Sequence, residues 1–279
     1  MLESISFIGG GVMGEAMIHS LLSKKLVSPA KITVSEPRQK RREELQKHGI
    51  IVTAENRAAA QNGSIIVFSV KPQDLTSVLA ELKGLLKPGQ LVLSIVAGAR
   101  LATISEGLTH NAIVRVMPNT PAQIGEGISV WTATPRVSQE QLEETRTILQ
   151  ALGKEVYVRD EKFLDMATAV SGTGPTYVFL VMEAMIDAAV HLGFPRHIAY
   201  ELVTETMRGS IMFAMRSGKH PAELRNMVTS PGGTSAAALY QLEKGSLRTV
   251  LSKAIWAAYE RSRSLGEDSK RTNSTVTNE

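Results

Sequence analysis

Two clusters of residues have types and spacing that could do chemistry. After Ile5-Ser6-Phe7-Ile8 comes Gly9-Gly10-Gly11-Val12-Met13-Gly14, with glycines at the first, third and sixth positions of a turn that opens a helix. An acid, Glu36, follows about 20 residues on, as the dinucleotide-binding fingerprint requires. Gly9 permits a tight turn, Gly11 lets the backbone approach a diphosphate, and Gly14 lets the helix pack closely on the strand, with the anion at the helix N-terminus. The second cluster is Ser230-Pro231-Gly232-Gly233-Thr234-Ser235, which enters a helix near Ala236. Its glycines expose backbone N–H groups, the helix end adds partial positive charge, and three hydroxyls surround the same point, an arrangement suited to a carboxylate. A plain N-cap after a turn would use the same residues, and both readings stay open.

The residues at the end of the second strand pull the cofactor choice both ways. Glu36 stands where a carboxylate accepts a bond from the adenosine ribose, which favours NADH. Ser35 precedes it, and Arg38, Lys40, Arg41 and Arg42 follow at once, a cluster that could hold a 2'-phosphate or simply face solvent. The net charge of +4 is matched in size by these four cations alone, which tilts the expectation slightly toward NADPH. Val70-Lys71-Pro72 ends a strand where the loops of such a sheet meet a ligand, and in Met117-Pro118-Asn119-Thr120-Pro121 two prolines hold the Asn119 amide in a stiff loop. The six histidines show no metal-ligand spacing, and there are no cysteines, so neither a metal nor a disulfide is expected.

The elements that must position these groups change character along the chain. Residues 4–8, 31–35, 64–70, 90–96 and 112–117 read as strands, and apolar residues at helical spacing lie between them. Such alternation predicts an α/β, Rossmann-type doubly wound domain over residues 1–160. From Asp160 onward the apolar positions recur at three and four residues, which predicts an all-helical domain over 161–266 with breaks at Gly193-Phe194-Pro195, His220-Pro221 and 230–233. Residues 267–279 are polar and aperiodic and are expected to be a disordered tail. A hydrophobic content of 43% with 21% charged residues is globular composition. No apolar run reaches the length of a membrane span, because Glu183 and Asp187 interrupt the nearest candidate, and the N-terminus lacks a basic leader region. A cytoplasmic protein with no membrane or nucleic-acid partner is expected; the 38–42 cluster lacks interleaved aromatics.

Taken in order, these motifs resemble pyrroline-5-carboxylate reductases. The resemblance runs from Ile5 to about Leu265 and also rests on Val170-Ser171-Gly172-Thr173-Gly174-Pro175 and on His220-Pro221 through residues 230–234. It implies NAD(P)H-dependent reduction of the cyclic imine of 1-pyrroline-5-carboxylate to L-proline. It also implies that Ile8, Gly9, Gly10, Gly11, Val12, Met13, Ser35, Asn56, Ser69, Val70, Lys71, Pro72 and Ala97 touch the cofactor, with Asn119 near the nicotinamide; Glu36 and Arg38 join this set from the residues at the end of the second strand. The backbone around Ser230, Gly232, Gly233 and Thr234 would hold the substrate carboxylate, and Ser235 would complete the substrate site. Ser235 stands where the family usually has threonine, and its hydroxyl is the candidate donor to the ring nitrogen. The resemblance implies a helical domain of the 6-phosphogluconate dehydrogenase C-terminal type that intertwines with a second copy in a homo-oligomer. Three rivals remain: a 3-hydroxyacid-type dehydrogenase, whose helical lysine residues 177–191 do not supply; a regulatory nucleotide sensor; and a nucleic-acid binder.

Overall fold

The computed structural model describes residues 2–276, with side chains described through residue 266. Among the described residues one sheet holds eight strands: β1 (Ile5–Ile8), β2 (Ile32–Ser35), β3 (Ile51–Thr53), β4 (Ile65–Phe68), β5 (Leu91–Ser94), β6 (Ile113–Met117), β7 (Gly127–Ala133) and β8 (Gly153–Tyr157). Their order is β3-β2-β1-β4-β5-β6-β7-β8, with every pair parallel except the antiparallel β6 and β7. The chain reverses its direction of travel between β1 and β4, and ligands of doubly wound sheets bind at the carboxyl ends of strands at such a point.

The sheet is covered on both faces because its inner strands are apolar on both. Phe7, Val34, Val67 and Leu93 point into one core with Met17 and Leu21 of α1 (Val12–Ser23). The alternate residues Ile8, Ile66, Phe68 and Val92 point into the other. There they meet Ala59 of α3 (Asn56–Asn62), following α2 (Gln39–Gln46), with Leu79 of α4 (Leu75–Leu82) and Ile104 of α5 (Leu101–Leu108). This period-two division, with both sets apolar, is what distinguishes a buried parallel strand from one with a wet face.

Five expected strands are present, and three more were not expected. β3 has three residues at the sheet edge with Ile51 exposed, and β8 carries Lys154 and Glu155, so neither shows a buried-strand pattern. β7 turns back on β6 and is followed by α6 (Gln139–Ala151).

The chain forms two compact units, Met1–Gly174 with Ala257–Glu279, and Pro175–Trp256. The change of pattern at residue 160 therefore precedes the boundary between units. The reason is a buried ion-pair network: Arg115 on β6 is 3% exposed and binds Asp165 at 2.7 Å and Glu161 at 2.9 Å. Glu161 also accepts from the Leu101 N–H at 2.7 Å, and Ser262 donates to Asp165 at 3.3 Å. Thus α7 (Lys162–Ala167) is held to the sheet although it follows the change of pattern. The last helix runs to Val276, so part of the segment expected to be disordered has a helical backbone; residues 277–279 lie outside the described residues.

The second unit contains α8 (Gly174–His191), α9 (Arg196–Ser217), α10 (Pro221–Met227), α11 (Thr234–Lys244) and the start of α12 (Leu247–Val276). The expected breaks fall between these helices, and Gly218 takes a left-handed conformation at the end of α9. Its buried core is small, built on Ile186, Ala199 and Val203. Large apolar side chains stay exposed instead, among them Leu180 at 64%, Met215 at 62% and Trp256 at 62%. Apolar surface on this scale marks an interaction face.

Candidate functional site

The glycine turn is built by what surrounds it. Gly9 leaves β1 with φ of +99°, its N–H donates to the Ser35 carbonyl at 2.9 Å, and its own carbonyl accepts from the Ser69 hydroxyl at 2.7 Å. A Cβ on Gly9 would lie 2.9 Å from the Ser69 carbonyl oxygen, and one on Gly14 would lie 3.0 Å from the Gly9 carbonyl oxygen. The turn is therefore pressed between β4's end and α1. A Cβ on Gly11 would meet nothing nearer than 4.0 Å, so Gly11 faces open space at the N-terminus of α1. No side chain caps that helix, leaving its first N–H groups aimed where an anion would sit.

Beside this turn lies a cleft of about 330 Å³. Gly9, Gly11, Ser35, Glu36, Arg38, Asn56, Ser69, Val70 and Lys71 line it, which brings together nine of the residues assigned to the cofactor from sequence. Ile8 is buried behind it, the Gly10 amide is held by Glu36, and Val12 and Met13 open α1. Pro72 starts the short 3-10 turn after Lys71. Ala97 lies in the loop between β5 and α5, and Asn119 begins the turn after β6; neither lines the cleft. The Asn119 side-chain oxygen Oδ1 accepts from the Ile128 N–H at 2.9 Å, so its side chain braces that loop. Pro37, Asp74 and Val78 also line the cleft and were missed. Asp74 and Val78 belong to the turn and helix that follow the recognised Val70-Lys71-Pro72, so continuing past the motif was the available signal.

Asn56 ties the walls together. Its side-chain oxygen accepts from the Ser35 hydroxyl at 2.7 Å, and its amide donates to Glu81 at 2.7 Å. Glu36 is 4% exposed. One oxygen accepts from the Gly10 N–H at 3.2 Å; the other accepts from the Arg38 N–H at 3.1 Å and its guanidinium at 2.7 Å. Burial pushes the Glu36 carboxyl up, but the Arg38 and Gly10 bonds and the Arg38 charge outweigh it and hold the carboxyl below its usual value. Glu15 behaves alike: burial raises it, and Arg41 and His48 bring it below the usual range.

A depressed folded pKa contributes stability that is fully present above the unfolded value and is lost as pH falls through the folded one. Urea denaturation should therefore show stability declining on acidification below about pH 5. Glu36→Gln should make that decline shallower, and an unchanged acid limb in the variant would contradict the assignment.

The second cluster sits between α10 and α11. Gly232 has φ of +71°, in the left-handed region, and the Gly233 N–H donates to the Ser230 carbonyl at 3.1 Å. Gly233 is the N-cap of α11, and the Ala236 and Ala237 N–H groups donate to its carbonyl at 3.1 and 3.2 Å. Ser230, Thr234 and Ser235 are exposed, and their hydroxyls make no hydrogen bond among the described residues. The hydroxyls therefore do not cap the helix, which weakens the plain N-cap reading. No group of three or more metal-ligating side chains occurs among the described residues.

Comparison with known proteins covers both clusters. Residues 161–265 match the family model described as pyrroline-5-carboxylate reductase dimerisation, and residues 4–98 match that described as NADP oxidoreductase coenzyme F420-dependent. The pyrroline-5-carboxylate reductase of a Synechocystis strain is 42% identical over 269 residues, covering 96% of this chain and all of the relative. That of Pisum sativum is 37% identical, covering 94% of this chain and 96% of the relative. The structure of Plasmodium falciparum pyrroline carboxylate reductase with NADP bound superposes with a TM-score of 0.89 at 32% identity, covering 95% of this chain and 100% of that one.

Proposed function

The chain belongs to the pyrroline-5-carboxylate reductase family, and on that premise we infer how its residues divide the work of reducing 1-pyrroline-5-carboxylate to L-proline with NADH or NADPH. The observation that carries this reading is the placement of both clusters inside matched regions, the glycine turn and Glu36 in 4–98 and the carboxylate turn in 161–265.

A bound reduced nicotinamide would supply the hydride that the imine carbon accepts. Everything else is positioning, and positioning two reactants removes a large part of such a barrier. The N-terminus of α1 and the Gly11 backbone hold the diphosphate. Glu36 accepts from the adenosine ribose, and Ser35 and Asn56 fix the wall beside it. Ser69, Val70, Lys71, Pro72 and Ala97 would hold the rest of the cofactor, with Asn119 near the nicotinamide. The backbone of residues 230–234 takes the substrate carboxylate. Ser235 would donate a hydrogen bond to the ring nitrogen, which gains electron density as the hydride adds and either takes one proton from solvent or enters already protonated as the iminium, so hydride and one proton complete the amine.

The helical unit pairs with a second copy. No uninterrupted apolar run is long enough to span a membrane, but with its charged residues included the helical run Lys162–His191 reaches that length and mean hydropathy, and only 11% of its most apolar window is buried within the chain. It lies in the region matched by the dimerisation model, so its exposed face is read as a partner-chain surface, with the helices of two copies intertwined. A cytoplasmic location fits this reading.

Purified protein given 1-pyrroline-5-carboxylate should oxidise NADH or NADPH, seen as loss of the nicotinamide absorbance. Absence of substrate-dependent oxidation with either cofactor would sink the reading.

A further inference from the structure

We propose that Glu36 makes the adenosine end of the cleft select NADH over NADPH, because the cations beside it are committed elsewhere. This rests on the reading of the cleft as the cofactor site.

The four cations following Glu36 have different surroundings. Arg41 is 18% exposed and has every arm engaged: Nε donates to the Gly10 carbonyl at 2.8 Å, and its terminal nitrogens bind Glu15 at 2.6 Å and Glu44 at 3.0 Å. Arg42 donates to the Glu36 and Pro37 carbonyls at 2.8 and 2.7 Å. Lys40 is exposed and does not line the cleft. Arg38 alone of the four lines it, and its guanidinium is bound to Glu36 at 2.7 Å.

Glu36 cannot easily turn away. Its carboxylate holds the Gly10 N–H, while Arg41 holds the carbonyl of the same residue, so the middle of the glycine turn is fixed from both sides. A ribose 2'-hydroxyl can donate to the remaining acceptor capacity of this carboxylate. A 2'-phosphate brings like charge against a buried carboxylate, and relieving that contact would release the Gly10 bond. Like charges a few Å apart at a partly buried site repel strongly enough to separate two ligands by a factor of about ten or more.

The test is equilibrium binding of NADH and NADPH to the full chain, followed by nicotinamide fluorescence, with turnover measured in parallel. Wild type should bind NADH at least about tenfold more tightly than NADPH. Glu36→Gln keeps an acceptor toward Gly10 and removes the charge, and should shrink that ratio by about tenfold. Arg38 is exposed, so Arg38→Ala will fold; it should change the ratio by less than about threefold, since the guanidinium serves Glu36 rather than a phosphate. NADPH binding equal to or tighter than NADH, or a selective tenfold loss of NADPH affinity in Arg38→Ala, overturns the proposal and leaves the cofactor site standing. Failure of either nucleotide to bind overturns the reading of the cleft itself.

Discussion

Ser235→Ala is expected to lower kcat for 1-pyrroline-5-carboxylate reduction by about a hundredfold, the scale on which one hydrogen-bond donor to a charge-developing atom contributes. The donor matters most when hydride has begun to arrive at the imine carbon, because the ring nitrogen then gains electron density. The loss should therefore fall on kcat more than on KM. Ser235 is exposed in the first turn of α11 and makes no hydrogen bond among the described residues, so alanine leaves the helix intact. Ser235→Thr keeps the hydroxyl and restricts its rotamer, and should retain turnover within about threefold. Steady-state kinetics of the two variants separates the roles. If alanine turns over as fast as wild type, the hydroxyl has no part in the reaction.

The two glycines of the turn should fail in different ways when a methyl group is added. Gly9→Ala places a Cβ 2.9 Å from the Ser69 carbonyl oxygen on a backbone with φ of +99°, and neither contact can be relieved by rotating a side chain. It should destabilise the free protein by about 1–3 kcal/mol, measured by urea denaturation. Gly11→Ala has ordinary φ of −69° and open space around the new Cβ. It should leave the free protein's stability nearly unchanged and weaken nucleotide binding by about a hundredfold, because the methyl group occupies the diphosphate's approach. Equal effects of the two substitutions on stability, or normal nucleotide affinity in Gly11→Ala, would contradict the placement of the diphosphate.

How much was legible depended on how local each signal is. The glycine turn, Glu36 and the five inner strands could be read because a tight turn and a doubly buried strand both impose their pattern within a few residues. The Ser35 to Asn56 bond joins residues 21 apart in sequence, and only the family resemblance pointed to Asn56. Arg115 shows the opposite limit. A charged residue inside an apolar strand looks like a defect until Asp165, 50 residues later, is folded against it. That pair also explains why the pattern change at residue 160 precedes the boundary between compact units. The cation cluster after Glu36 could be counted but not apportioned, since four adjacent positive charges look equivalent until Gly10, Glu15 and Glu44 take hold of Arg41. In the helical unit the periodicity was clear, but the sparse core around Ile186 shows that its apolar residues were not chosen for this chain's own interior.

The central claim is that this chain delivers a hydride to an imine carbon. The most direct measurement uses NADH and NADPH carrying deuterium at the transferable nicotinamide position, with 1-pyrroline-5-carboxylate as acceptor and mass spectrometry of the proline formed. Proline bearing one deuterium on the former imine carbon is the predicted result. Proline without the label, or no proline from either cofactor, would contradict the account.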